Sequence, residues 1–296
     1  MTKTMHRERV RFERPVLEEI RNGGFSPVDM HVHTNHSDAP VSVKATLKKA
    51  SKSGFGLAIT DHNAISGYRE AQGYESGVLL IPGIEVSARD GPHILIYFYS
   101  GADIVEFYEK IIRDNKRKSP CLAIRLDTAE IVSAAQQYHC IVAAAHPYGY
   151  LIFNKGLQKC IEGGYLPQDL IGSFQAAEVV CGGMSRQENE KAIRLADRHN
   201  LGIVGGTDSH LLFDTGRVLT CSKADTADEF LDNVLRMENF IIGKELRLLE
   251  KGFAGTVVLT KYVRYTLPTL AIHYEQNMPR ARRFTRKAWT RLKRDR

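Results

Sequence analysis

The sequence lacks the features that mark membrane, secreted and nucleotide-binding proteins. None of its apolar runs approaches the ~20 residues that span a bilayer, and its charged first 14 residues lack the apolar stretch of a signal peptide. The five cysteines are odd in number and form no C-x-x-C pair, which argues against a disulfide framework or a zinc ribbon. No G-x-G-x-x-G or G-x-x-x-x-G-K-[ST] loop is present. We therefore expect a cytoplasmic protein with reduced thiols and no transmembrane segment.

Positive charge is concentrated at one end of the chain. The net charge is +7, but residues 279–296 carry nine Arg or Lys against one Asp, so the rest of the chain sums to −1. Within this basic tail, Phe284, Ala288 and Leu292 fall on one face of a helix, with Trp289 beside them. This pattern favours weak contact with nucleic acid or with an anionic membrane surface. A solvated or disordered tail is the alternative.

Short apolar runs alternate with helical patterns through most of the chain. Seven runs predict strands, at residues 27–32, 57–59, 78–81, 94–99, 141–145, 177–180 and 201–204. Asp127, Ser185 and Thr226 are each followed three residues later by Glu, which predicts the N-termini of three helices. Repeated strand–helix alternation favours an α/β fold with a mainly parallel sheet.

Histidines and carboxylates follow the ends of several of these runs. His31 and His33 are two residues apart, so on a strand both side chains point to the same side. Imidazole and carboxylate together suit zinc, manganese or iron. Because the ligands come from many strands, a closed barrel explains their convergence better than an open doubly wound sheet. The candidate metal ligands are His31, His33, Asp38, His62, Glu85, His93, His146, Asp208 and His210.

Five short motifs containing these residues occur in order. They are H-x-H-T-x-x-S-D at 31–38, T-D-H at 60–62, G-x-E at 83–85 with a histidine at 93, A-H-P at 145–147 and T-D-S-H at 207–210. Together they resemble the motifs of the polymerase and histidinol phosphatase (PHP) family of metal-dependent phosphoesterases, over roughly residues 27–245. The resemblance implies an α/β fold, a distorted (β/α)7 barrel, with the metal site at the C-terminal edge of the strands.

The resemblance also implies a trinuclear centre, so the expected cofactors are two or three divalent metal ions, Mn, Fe or Zn. Glu85 would bridge two of the ions. Asp61 precedes a ligand and is expected to support the site without binding an ion. The three ligand sets would be His31, His33, Glu85 and Asp208; Glu85, His93 and His146; and Asp38, His62 and His210.

Such a centre suits phosphate ester hydrolysis. Three divalent ions and three carboxylates leave a charge of about +3, which attracts a phosphate group. Two close metal ions also lower the pKa of a bridging water and clamp the attacking and leaving oxygens. Arg217 lies seven residues after His210, where its guanidinium could bind phosphate. We predict hydrolysis of a phosphorylated metabolite or nucleotide by metal-activated hydroxide, with the catalytic residues His62, Asp208, His210 and Arg217.

Two alternative functions share this chemistry. One is a nucleic-acid-processing phosphodiesterase, which the basic tail favours. The other is a protein-tyrosine phosphatase of the same fold. The domain organisation expected in every case is an N-terminal extension at 1–26, the phosphoesterase domain at 27–250, and a C-terminal extension with the basic amphipathic tail at 251–296.

Overall fold

The computed structural model describes residues 5–149 and 156–278, and the basic tail lies outside these ranges. Within them, ten strands form one sheet in the order β1-β10-β9-β2-β3-β4-β5-β6-β7-β8. The strands are β1 (Val10–Arg11), β2 (Ser26–Val32), β3 (Gly56–Ile59), β4 (Leu80–Ser87), β5 (His93–Phe98), β6 (Cys140–Ala144), β7 (Ala176–Cys181), β8 (Gly202–Gly206), β9 (Val218–Ser222) and β10 (Asn239–Gly243).

The sheet curls into a half-barrel, which brings the end of β8 next to β2. The backbone N–H of Asp208 donates to the carbonyl of His31 (2.8 Å), and Val32 forms a parallel bridge with Ser209. The approach is close because β8 ends in glycine: a Cβ on Gly206 would lie 2.5 Å from the backbone N of His31. An α/β fold with a curled sheet therefore brings the first and last metal motifs together.

Strand directions are more mixed than the sequence predicts. All seven predicted strands are present as β2 to β8, but β5 and β9 run antiparallel to both of their neighbours. The sequence reading did not identify β1, β9 and β10. The predicted run at 78–81 is also too short, because β4 leaves β3 after Pro82 and continues beside β5, where Glu85 pairs with Leu95. Glu85 consequently lies inside a strand and not beyond its end.

Nine α-helices lie within the described residues before residue 263. They are α1 (Leu17–Asn22), α2 (Val43–Ser53), α3 (Ser66–Gln72), α4 (Gly101–Phe107), α5 (Thr128–Ala135), α6 (Leu157–Glu162), α7 (Arg186–His199), α8 (Ala227–Leu235) and α9 (Leu248–Tyr262). The three predicted N-caps are confirmed: Asp127, Ser185 and Thr226 each accept a hydrogen bond from the backbone N–H three residues on. Residues 266–278 are also helical. No helix among the described residues is long and apolar enough to cross a membrane.

The interior of the curled sheet is filled with apolar side chains below the strand ends that carry the candidate ligands. Met30, Leu95 and Tyr97 are fully buried members of this cluster. The hydroxyl of Tyr97 donates to the carbonyl of Met30 (2.8 Å), which satisfies a polar group in an otherwise apolar layer. This closely packed apolar layer supports the polar residues at the strand ends.

Candidate metal centre

All nine candidate ligands converge on one buried cluster. His31 lies in β2, Glu85 in β4 and His93 at the start of β5, while the other six follow strands or lie in the loop after β2. Eight of them are buried, and the His210 side chain is 14% exposed. Residues from six separate strand regions therefore present imidazole and carboxylate groups to one another in a space largely closed to solvent.

Glu85 occupies the centre of the cluster. Its Oε1 lies 3.0 Å from His93 Nδ1 and 3.2 Å from His146 Nε2. Its Oε2 lies 2.8 Å from His62 Nδ1. A carboxylate with each oxygen directed at a different set of imidazoles has the geometry that a bridging ligand requires.

His31, His33 and Asp208 form a second group that adjoins Glu85. The Nε2 atoms of the two histidines are 3.1 Å apart, and Asp208 Oδ1 lies 3.1 Å from His33 Nε2 and 3.5 Å from His31 Nε2. Glu85 Oε2 is 3.4 Å from each of these nitrogens. The H-x-H spacing thus directs both rings to one point, as the strand geometry predicts.

Asp38, His62 and His210 form the third group, nearest the surface. Asp38 Oδ1 lies 3.2 Å from His210 Nε2, and Asp38 Oδ2 lies 3.6 Å from His62 Nε2. The hydroxyl of Tyr262, at the end of α9, donates to Asp38 Oδ2 at 3.0 Å. Tyr262 is a contact that the sequence analysis missed, because nothing local links residues this far apart in the chain.

The donor set fits divalent metal ions. Imidazole nitrogens and carboxylate oxygens lie within 4.8 Å of one another in three sets. Asp38 Oδ1 and Glu85 Oε2 are buried, and the polar atoms near them are ring nitrogens of the same cluster, His210 Nε2 at 3.2 Å and His62 Nδ1 at 2.8 Å. Buried carboxylates surrounded by imidazoles are costly unless protons or metal ions compensate their charge. The three sets are His33, Asp38, His62 and His210; His31, His33 and Asp208; and His62, Glu85 and His93.

The carboxylates hold protons on neighbouring imidazoles when no metal ion is present. Burial alone lowers the pKa of His31, but Glu178, Asp208 and Glu85 raise it well above its usual value. Burial likewise opposes charge on His210, yet the Asp38 carboxylate raises its pKa to about 9. Because a metal ion binds only neutral imidazole, these protons must leave when an ion enters.

Three residues of the cluster's framework have an unusual backbone conformation. His146, Asp208 and Asn63, which follows His62, have positive φ angles of 26°, 53° and 51°. Non-glycine residues rarely adopt this region, and where they do the surrounding contacts hold them there. Asn63 is held by its side chain, which donates to the carbonyls of Pro120 and Leu122. The fold therefore holds these three residues in strained backbone conformations that orient their side chains.

Glu178 supports the cluster from β7. Its Oε1 lies 2.9 Å from His31 Nδ1, and its Oε2 accepts the backbone N–H of His146 at 2.7 Å. The side chain is fully buried. The sequence analysis did not identify Glu178, although a lone Glu inside the apolar run Ala176–Cys181 is a detectable signal for a buried polar role.

Asp61 acts on the loop that carries Asp38. It accepts hydrogen bonds from the backbone N–H and the hydroxyl of Thr34, both at 2.7 Å, and from the hydroxyl of Ser37 at 2.6 Å. These contacts are consistent with the supporting role expected for it. Asp29 has a similar role: it accepts from Thr207 N–H at 2.8 Å and fixes the start of the last motif.

Arg217 is engaged elsewhere on the surface. Its Nη1 lies 2.9 Å from Glu250 Oε1, and its Nε lies 3.5 Å from Asp214. The side chain is 37% exposed. Its role as a phosphate ligand therefore stays a prediction, which would require the Glu250 pair to exchange for substrate.

A family model for the PHP domain matches residues 29–242. The chain belongs to the PHP domain family. The family predicted from the five motifs is thereby confirmed, and the match supports a metal-dependent phosphoesterase and hence a hydrolase. No curated protein matches the chain in sequence.

Solved structures share the PHP fold at low sequence identity. A protein from Bifidobacterium adolescentis assigned as a metal-dependent phosphoesterase is 19% identical, with a TM-score of 0.53 over 80% of this chain and 100% of that one. The lesion-specific endonuclease Q from Pyrococcus furiosus is 17% identical, with a TM-score of 0.58 over 73% of this chain and 57% of that one. An endonuclease Q bound to duplex DNA with an abasic lesion at its active site is 17% identical, with a TM-score of 0.57 over 71% and 56% of the two chains.

Proposed function

We propose that this protein is a phosphoesterase that hydrolyses the phosphate ester of a small phosphorylated metabolite or nucleotide, using two or three divalent ions of Mn, Fe or Zn. The observation that carries the proposal is the position of Glu85, whose two carboxylate oxygens lie within 3.4 Å of five histidine nitrogens. One carboxylate shared by two ligand groups and in contact with His62 of the third is the arrangement that a polynuclear centre needs and that a mononuclear site does not.

The proposed ligand sets follow the three groups described above. His31, His33 and Asp208 with Glu85 form one, Glu85 with His93 and His146 the second, and Asp38 with His62 and His210 the third. In this proposal β2 to β8 are the seven strands of a distorted (β/α)7 barrel, with the centre at their C-terminal edge. The proposed domain spans residues 27–250, between extensions at 1–26 and 251–296, in a cytoplasmic protein.

When bound, the ions supply an activated water and charge stabilisation at the reacting phosphate. The residues of the chain do the remaining work. His62, Asp208 and His210 would hold ions next to the reacting phosphate. The burial of the ligand side chains excludes bulk water from the site. Glu178 holds the ring of His31 in one orientation through its Nδ1 atom. Arg217 would bind a phosphate oxygen on release from Glu250.

A nucleic-acid phosphodiesterase is the second candidate. Two observations favour it: the nine basic residues in 279–296, and the likeness to the endonuclease Q that was solved with DNA at its active site. A protein-tyrosine phosphatase stays a prediction from the sequence. Weak contact of the tail with nucleic acid or an anionic membrane is likewise proposed.

Hydrolysis of 4-nitrophenyl phosphate with Mn²⁺ tests the leading proposal. We expect turnover that falls at least about 100-fold in His62→Ala and in Asp208→Ala, because each change removes a ligand. His199→Ala, a change at an exposed histidine on α7, is the matched control and should retain activity. Absence of turnover on this substrate and on bis(4-nitrophenyl) phosphate with Mn²⁺, Fe²⁺ and Zn²⁺ would contradict the proposal.

A further inference from the structure

The C-terminal helical segment, residues 248–278, reaches the candidate metal centre. Tyr262 donates to Asp38 Oδ2 at 3.0 Å, across 224 positions of sequence. The tyrosine is half-buried, although much of the surrounding segment is exposed. This hydrogen bond places the residues on either side of Tyr262 at the outer edge of the Asp38, His62 and His210 group.

The segment is fixed in this position by further contacts. Ile272 is 4% exposed and packs against Leu122 and Ala123. Arg117 forms a two-pronged ion pair with Glu275. An apolar contact and a bidentate ion pair therefore hold the segment against the rest of the protein, where it forms one side of the site.

The loop that receives the segment is itself tied to the centre. The side chain of Asn63 donates to the carbonyls of Pro120 (3.1 Å) and Leu122 (2.7 Å). Asn63 follows His62 directly in the chain. The segment, the 119–123 loop and the third ligand group therefore form one connected structure.

A cavity of about 120 Å³ lies between these parts, with room for a carboxylate or a phosphate group. Its lining includes Asp38, Lys261 and Arg264. Neither Lys261 nor Arg264 forms an ion pair with any residue that the structure describes, unlike Arg117, Arg186 and Arg217. Two cations without acidic partners face a concave space beside the metal centre.

We propose that Lys261 and Arg264 bind a second anionic group of the substrate, so that the substrate carries a carboxylate or another phosphate a few bonds from the ester phosphate. The inference rests on the proposed phosphoesterase function and narrows its substrate class. Once Asp38 binds an ion, its charge is neutralised locally and the cavity is left with net positive charge. Arg264 offers a planar pair of donors and Lys261 a mobile one, which suits either kind of anion.

Calorimetric titration of the Mn²⁺-loaded full chain tests this with probes that cannot be hydrolysed. Ethylphosphonate carries one anionic group. Phosphonoacetate, 3-phosphonopropionate and 4-phosphonobutyrate add a carboxylate at increasing distance, and the corresponding alkane bisphosphonates add a second phosphonate. We expect at least one two-anion probe to bind about 10-fold more tightly than ethylphosphonate. The series that binds more tightly identifies the second anionic group of the substrate as a carboxylate or a phosphate.

The variant Lys261→Met/Arg264→Gln should lose this advantage and bind ethylphosphonate as the unaltered protein does, which also shows that it folds. Lys223→Met removes an exposed lysine in the β9–α8 connection and is the charge control, expected to keep the full advantage. A two-anion advantage that persists in the double variant, or no advantage for any probe, overturns the proposal. Failure of ethylphosphonate to bind would instead refute the proposed function, and this inference with it.

Discussion

Glu178 and His31 form a fully buried pair, with the carboxylate Oε1 2.9 Å from the ring Nδ1. The same carboxylate accepts the backbone N–H of His146 through its other oxygen. One side chain of β7 therefore fixes two predicted ligands from β2 and from the loop after β6. The Nε2 atom of His31 is left to face His33, Asp208 and Glu85.

Replacing Glu178 by Gln should weaken metal binding. Gln has one acceptor oxygen, so its amide nitrogen would face either the His31 ring or the His146 N–H, both of which need an acceptor. We expect Mn²⁺ affinity, measured by calorimetry, to fall about 10- to 100-fold. Glu238→Gln, an exposed change before β10, should leave the affinity unaltered. Equal affinities in both variants would show that Glu178 does not position the centre.

The sequence predicts the candidate ligands better than it predicts the residues that hold those ligands in place. Six of the nine candidate ligands follow strands or lie in the loop after β2, in short motifs, so their convergence can be inferred from the α/β pattern. Glu178 could have been found as the single charge in an apolar strand. Tyr262 could not, because its contact with Asp38 depends on how the C-terminal helical segment docks, and no local periodicity encodes that.

The fold shows the same difference between features that the local sequence encodes and features that depend on contacts between distant residues. The strands β2 to β8 are buried apolar runs and were predicted, whereas β10 begins with Asn239, whose side chain donates to the carbonyl of Ile203. A polar residue at the start of a five-residue run weakens the strand signal. Antiparallel pairing of β4 with β5 also depends on a change of partner after Pro82, which composition does not reveal.

Removing the hydroxyl of Tyr262 should have a smaller effect on metal affinity than replacing Glu178 by Gln. Tyr262→Phe keeps the ring and leaves Asp38 Oδ2 without its donor, a loss of ~1 kcal/mol. We expect about a fivefold decrease in the affinity of the most weakly bound Mn²⁺ ion. Tyr274→Phe, at a 65% exposed position on the same segment, is the control. An unchanged affinity in Tyr262→Phe would mean that Asp38 needs no support from the segment.

The contact of β8 with β2 predicts a stability difference between two glycine substitutions. A Cβ on Gly206 would lie 2.5 Å from the His31 backbone N, whereas one on Gly172 meets nothing within 4 Å. Gly206→Ala should therefore lower the free energy of unfolding by about 1–3 kcal/mol, because the strands must separate. Gly172→Ala should change it little. Urea denaturation of the metal-free protein measures both, and equal midpoints would exclude a tight closure at this point.

Metal binding should release protons and depend on pH. The Asp38 carboxylate overcomes the effect of burial and raises the pKa of His210 to about 9, so His210 is protonated in the metal-free protein at neutral pH. An ion needs the neutral ring, so binding must displace that proton, and affinity should rise with pH up to about 9 and level off above it.

Calorimetry in buffers of different ionisation enthalpy measures the number of protons released. At pH 7 we expect at least about one proton per protein, since His31 is also held in its charged form by Glu178, Asp208 and Glu85. His210→Asn should release about one proton fewer, because Asn carries no titrating group. Proton release that is zero, or identical in the variant, would show that the imidazoles are already neutral and that the carboxylates do not control their charge.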